Sequence, residues 1–205
     1  LRNVIINTVN ENAYQLLEVL LHIDFLLAYY CAPTLYGLKP SNLILHETFN
    51  AARAKLAYLE ISEALKQRGI KMLEIWSCPE RTLTLVYDEA RLEAVLAEAE
   101  AAVFLMSLGY SRESTLSEKL ALLKERMAGR EAFPHEVGVF LGYPMSDVLG
   151  FITHRGKHCK YCGYWKVYGD VACAKQLFDT FTAVRDELLL RLQRGAKLSE
   201  IIQSA

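Results

Sequence analysis

Two strand-patterned runs, KMLEIWS at 71–77 and RTLTLVYD at 81–88, lie three residues apart in a chain that otherwise repeats at helical spacing. Joined by Cys78, Pro79 and Glu80, they read as a β-hairpin, with Leu73, Ile75, Leu83 and Leu85 available for one face. A hairpin set among helix-forming segments points to helices packed over a small sheet.

Helical stripes flank the hairpin on both sides. Tyr14, Leu17, Leu20 and Leu21 follow a capping candidate, Asn10, and Phe49, Ala52, Leu56 and Leu59 precede a stop at Gly69. Asp88 is placed to cap a helix carrying Leu92, Val95, Leu96, Ala99, Val103 and Met106, which ends before Gly109. Thr115 and Glu118 have capping-box spacing for a helix reaching Met127 and Gly129. Pro134 and Pro144 each open a short helix, closed by Gly142 and Gly156, and Asp170 caps a long final helix. The apolar run at 24–30, ahead of Pro33, reads as a buried strand inside the sheet. GYWKVYG at 163–169 reads as another strand, with Trp165 and Val167 on one face. The expected fold is therefore α+β. A single domain over 1–205 carries a small mixed or antiparallel sheet of about four strands covered by helices.

Apolar residues make up 52% of the chain, enough to bury a sizeable core. The net charge of −1 argues against a protein that holds nucleic acid or an anionic membrane by Coulomb attraction. The longest apolar candidate, 16–31, is interrupted by Glu18, His22 and Asp24, short of the ~18 residues that span a bilayer. The N-terminus shows no signal-peptide pattern. Five cysteines, an odd number in a chain too large to need staples, favour reduced thiols and a cytoplasmic location.

Several segments carry a further resemblance. CAPTLYGLKPSNL, LVYDEARL, FPHEVGVFLGYPMSDVLGFI and GYWKVYGD, in that order across roughly 30–181, resemble the signature segments of an uncharacterised bacterial family, domain of unknown function 3793. The resemblance implies no activity and supplies no catalytic residues.

Four constellations could carry chemistry, and the block at 133–170 holds three of the five histidines and two of the five cysteines. In the loop at 31–42, Ser41 could cap a following helix. Free amides of Ser41 and Asn42, with the charge of Lys39, would then attract an anion, and Cys31 would lie behind them. His135 and Glu136 fall in the first turn of the helix opened by Pro134. The dipole there discourages imidazole from protonating, as a general base requires, and Cys31 would be its thiol partner. His158, Cys159 and Cys162 offer imidazole and thiolate for zinc or iron, with His154 close by, although no second pair completes a familiar site. Tyr164 and Lys166 form a candidate wall for a flat ligand.

The two short helices also have helix-turn-helix spacing. The second offers Met145, Ser146, Asp147 and Leu149 where a DNA reader needs base-contacting side chains, so an αα-hairpin is the better description. The leading expectation is a small-molecule protein, binding an anionic ligand at the 31–42 loop and His135. Cys31, His135 and Glu136 are its catalytic candidates, and Lys39, Ser41, Asn42, Tyr164 and Lys166 its ligand contacts. The alternatives are a metal or redox accessory protein using His158, Cys159 and Cys162, and a non-catalytic interaction module. The spacing specifies no cofactor and no protein partner.

Overall fold

A computed structural model describes residues 11–47, 52–129 and 134–204. Helix α1 (Glu11–Leu35) leads to strand β1 (Ser41–Glu47), helix α2 (Ala52–Lys66) and the hairpin of β2 (Ile70–Ser77) and β3 (Arg81–Asp88). Helices α3 (Glu89–Ala97), α4 (Ala99–Ser107) and α5 (Leu116–Ala128) follow. After them come the single-turn α6 (Val137–Phe140) and α7 (Met145–Thr153). The two-residue strands β4 (Tyr161–Cys162) and β5 (Lys166–Val167) precede the long α8 (Val171–Gln193) and α9 (Leu198–Ser204).

The main sheet is antiparallel in the order β1-β3-β2, and β4 pairs with β5 in a second, small hairpin. The α+β class holds. Strand β3 is the middle strand, and its Leu85 and Val86 are both completely buried. Being neighbours on a strand, they face opposite sides. Val86 and Ile44 join the core formed with α1, α2, α8 and α9, including Leu27, Leu65, Leu188 and Ile201. Leu85, Tyr87 and Ile75 join the core formed with α3 to α7, including Leu92, Leu105, Leu123 and Phe140. The sheet is thus covered by helices on both faces.

Local capping chemistry follows the sequence closely. Asp88 accepts from the Arg91 amide, and Thr115 and Glu118 form a reciprocal capping box. Asp170 accepts from the amides of Ala172 and Cys173.

Four expectations are corrected. Residues 24–30 are helical, the second half of α1, with Ile23, Leu27, Ala28, Cys31 and Leu35 buried while Tyr29 and Tyr30 are half exposed. A short apolar run has no period that separates a buried strand from a buried helix, and its continuity with the stripe upstream decides for helix. Ser41 opens a strand and caps no helix. In that strand Leu45 is exposed and His46 buried, so hydropathy gives the wrong face. Phe49, expected on the next helix, lies outside the described residues.

The helix expected from Asp88 to Gly109 breaks at Glu98, which is extended (φ −57°, ψ 140°). The break puts Leu92, Leu96, Ala101 and Leu105 in one core and leaves Val103 and Met106 exposed. Finally, the strand expected at 163–169 shrinks to two residues, and Leu198, Ile201 and Ile202 of α9 complete the first core without having been anticipated.

The turn after α6 fixes where the 31–42 loop sits. Gly142 has φ +70°, and a Cβ there would come within 2.5 Å of the Pro40 ring. Ser41 adds a hydrogen bond, its buried hydroxyl donating to the Phe140 carbonyl at 2.7 Å. Gly142→Ala should lower unfolding free energy by roughly 1–3 kcal/mol, through left-handed strain and collision with Pro40, as read by urea denaturation. A change within experimental error would show that this junction is not tight.

Candidate functional site

Helix α1 ends at a proline that does not break it. Pro33 lies in the last turns, and its carbonyl accepts the amides of both Leu38 (2.7 Å) and Lys39 (3.1 Å). The chain reverses through Gly37 (φ +69°) and delivers Lys39 back against α1, beside Cys31. Lys39 is only 5% exposed. Its ammonium lies 5.2 Å from the centre of the Tyr143 ring, and among the described residues it forms no ion pair with a carboxylate.

Neither nearby acid supplies a counter-charge. Burial pushes the Cys31 thiol well above the ordinary thiol range and the Tyr143 phenol up to about 12, so both stay protonated at neutral pH. Burial pulls Lys39 the other way, down to about 8.

Lys39 lines a cleft of about 530 Å³. Its sides come from five parts of the chain: Tyr29 and Tyr30 of α1, Asn42 and Leu43 of β1, Leu141 and Tyr143 between α6 and α7, Tyr161, Gly163 and Tyr164 of the small hairpin, and Phe178, Asp179, Thr182 and Arg185 of α8. Thr34 donates to Asn42 Oδ1 at 2.7 Å, which leaves the amide nitrogen of Asn42 for another acceptor. The Tyr164 hydroxyl and Thr182 Oγ1 are 3.3 Å apart. Arg185 lies over the Tyr29 ring at 5.4 Å and pairs with Asp186 at 2.8 Å. A buried amine, a second cation, an amide and several aromatic faces can together hold a flat, negatively charged molecule.

The small hairpin is held in place by one carboxylate. Asp147 of α7 is 4% exposed, and Oδ1 accepts the amides of Tyr168 and Gly169 while Oδ2 accepts Trp165 Nε1, all at 2.7 Å. Trp165 stacks on Tyr143, with ring centres 4.9 Å apart, and meets Phe178 edge-on at 4.5 Å. Gly163 completes the fit, because a Cβ there would come within 2.4 Å of the Phe178 ring. Asp147, noted in the sequence only as unsuited to reading DNA bases, is the fixing point of the cleft wall.

The structure divides the residues singled out in the sequence. Lys39, Asn42 and Tyr164 share the cleft, and Cys31 lies completely buried behind Lys39. Ser41 is committed to Phe140. His135 and Lys166 line a neighbouring apolar hollow of about 280 Å³, which meets the cleft at Leu141 and Tyr143. There His135 contacts the Phe151 ring edge-on, and Lys166 donates to the Gly156 carbonyl at 2.7 Å. Cys31 and His135 are therefore not brought together.

The first-turn argument for His135 and Glu136 is also corrected, since α6 begins at Val137 and has one turn. Glu136 is buried, paired with Arg126 at 2.8 Å and within 3.3 Å of the Tyr110 hydroxyl. Among the described residues no three His, Cys, Asp or Glu side chains gather as a metal site, so His158, Cys159 and Cys162 do not converge. Sequence reasoning missed Tyr143 and Arg185, which reach the cleft from elements far apart in the chain, and Thr34, which holds Asn42.

A family model described as "Protein of unknown function (DUF3793)" matches residues 27–202, and the chain belongs to that family. No curated protein and no solved structure matches it. No helix among the described residues is long and apolar enough to cross a membrane.

Two outcomes test this geometry. Cys31 should react slowly with iodoacetamide at pH 7.5 in the folded protein, and its rate should not change in His135→Ala. Fast labelling that depends on His135 would contradict the burial. Asp147→Asn should cost about 2–4 kcal/mol of stability, because an amide cannot accept from all three donors that now converge on the carboxylate. Chemical denaturation gives the value, and an unchanged midpoint would rule out the fixing role.

Proposed function

We propose that this family member binds a small anionic molecule with a flat unsaturated part in the cleft above Lys39. The single observation that carries this reading is a buried lysine with no carboxylate partner among the described residues, lining an aromatic cleft of ligand size. An unpaired buried cation costs stability, and folds retain such costs where a site uses them. Lys39 supplies charge, Asn42 a donor, Arg185 a second positive group, and Tyr143 and Tyr164 the flat walls.

Titration of the purified chain with aromatic carboxylates and nucleoside monophosphates, followed by calorimetry, tests the reading. At least one should bind at neutral pH, and Lys39→Met should weaken it tenfold or more, about 1.4 kcal/mol. Affinity should fall as pH rises past about 8, where Lys39 discharges. Binding indifferent to Lys39→Met would sink the assignment.

The same lysine makes a stability prediction with a definite sign. Below about 8 Lys39 is protonated in both folded and unfolded chains, so the full cost of burying the charge is present. Between about 8 and the ordinary lysine value of 10.5 the unfolded chain holds a proton that the folded chain has released, so stability rises with pH. Lys39→Met should accordingly be more stable than the parent at pH 7, by an amount on the order of 2–3 kcal/mol, with the gap narrowing toward pH 10. Equal stability at both pH values would mean that the ammonium is well solvated.

A further inference from the structure

We propose that Lys39 acts as an amine nucleophile in this cleft, condensing reversibly with the carbonyl group of an anionic aldehyde or 2-oxo acid to form an imine. The inference rests on the ligand-binding reading above and assigns the chemical class of the ligand. Three features of the geometry support it. The amine is buried yet lines a cleft that a small molecule can enter. Among the described residues no carboxylate pairs with it, so no ion pair holds it in the ammonium form. A second cation, Arg185, lines the same cleft and can hold the carboxylate or phosphate of the ligand while Lys39 meets its carbonyl.

Burial supports the chemistry as well. With Lys39 lowered to about 8, about a tenth of the side chains carry the free amine at pH 7, against roughly 1 in 3,000 for an ordinary lysine. Desolvation of a lysine among apolar groups is one of the established routes to a nucleophilic amine.

In the condensation the Nζ lone pair attacks the carbonyl carbon, and the C–O π pair moves to oxygen. That oxygen takes a proton from the new ammonium to give a carbinolamine. The hydroxyl then leaves as water with the hydrogen that remained on nitrogen, and the nitrogen lone pair forms C=N. An amine and a carbonyl become an imine and water, with no change in oxidation state and no further reactant. The imine nitrogen then takes a proton from solvent water, and the protonated imine keeps a positive charge beside the anion, so the cleft remains matched to the ligand's charge.

The test uses the full chain with two probes, pyridoxal 5′-phosphate and glyoxylate, each followed by borohydride, which reduces an imine to a stable secondary amine. Peptide mapping should find the reduced adduct on Lys39 at least tenfold faster than on any exposed lysine. Excess pyridoxine 5′-phosphate, which has an alcohol in place of the aldehyde, should slow it. Arg185→Gln should raise the probe concentration for half-labelling about tenfold while leaving Lys39 in place. Lys39→Arg, which keeps the charge and removes the primary amine, should lose the adduct but still bind pyridoxine 5′-phosphate.

Labelling at Lys39 no faster than at exposed lysines, with pyridoxine 5′-phosphate still bound, overturns the imine and leaves the binding site standing. Neither labelling nor binding by any of these probes overturns both. Should Lys39→Arg fold poorly, adduct mapping in the wild-type chain with and without pyridoxine 5′-phosphate decides the matter alone.

Discussion

The Asp147 carboxylate is the interaction on which the rest of the site depends. Taking a carboxylate out of water is expensive, and three N–H donors at 2.7 Å compensate for it here. Two of those donors are backbone amides just after β5 and the third is the indole of Trp165, so one side chain fixes both the course and the rotation of the small hairpin. A two-residue ladder could not hold such a hairpin by itself. With it anchored, Trp165 stacks on Tyr143 and packs against Phe178, and Tyr161 and Tyr164 stand at the cleft.

Lys39 depends on the same network from the other side. The Tyr143 ring that faces its ammonium is backed by Trp165, so Asp147 acts on the lysine's surroundings through two stacked rings. A face-on aromatic ring compensates a buried ammonium only in part, by roughly 1–2 kcal/mol. Cys31 and Tyr143 remain neutral and add no counter-charge. Among the described residues no carboxylate pairs with this lysine, and it lines an open cleft. Elsewhere the partly buried Arg126 pairs with the buried Glu136.

Features encoded within a few residues were legible in the sequence. The hairpin at 71–88, the caps Asp88, Thr115 and Asp170, and the stops at Gly142 and Gly156 each rest on local backbone chemistry, and each is found in place. The class α+β followed from them. Long-range features were not legible. Residues 24–30 are apolar in a way that fits either period; they continue the helix begun upstream, which packs against α8 and α2. Strand β1 buries His46 and exposes Leu45, so its pattern hid the strand and with it the true role of Ser41. Lys39, Asn42 and Tyr164 were singled out because loop ends and aromatic faces are reasonable places for a ligand, and they line one cleft, although the helix N-terminus first used to justify two of them is a strand.

The separation of His135 from Cys31 follows from the same packing. Tyr143 and Leu141 belong to the linings of both the cleft and the apolar hollow, so they form the partition between them. That partition cannot shift easily. Gly142 holds a left-handed turn against the Pro40 ring between these two residues, and Trp165 holds the Tyr143 ring from one face. Proline 40 adjoins Lys39 in the chain, so the contact that places the partition also places the lysine on its far side from His135. The dense block of histidine, proline and glycine at 133–170 attracted attention as the seat of chemistry. Its larger contribution is structural: it builds the wall, through Asp147, Trp165 and Tyr143, against which a lysine from the other end of the chain is presented.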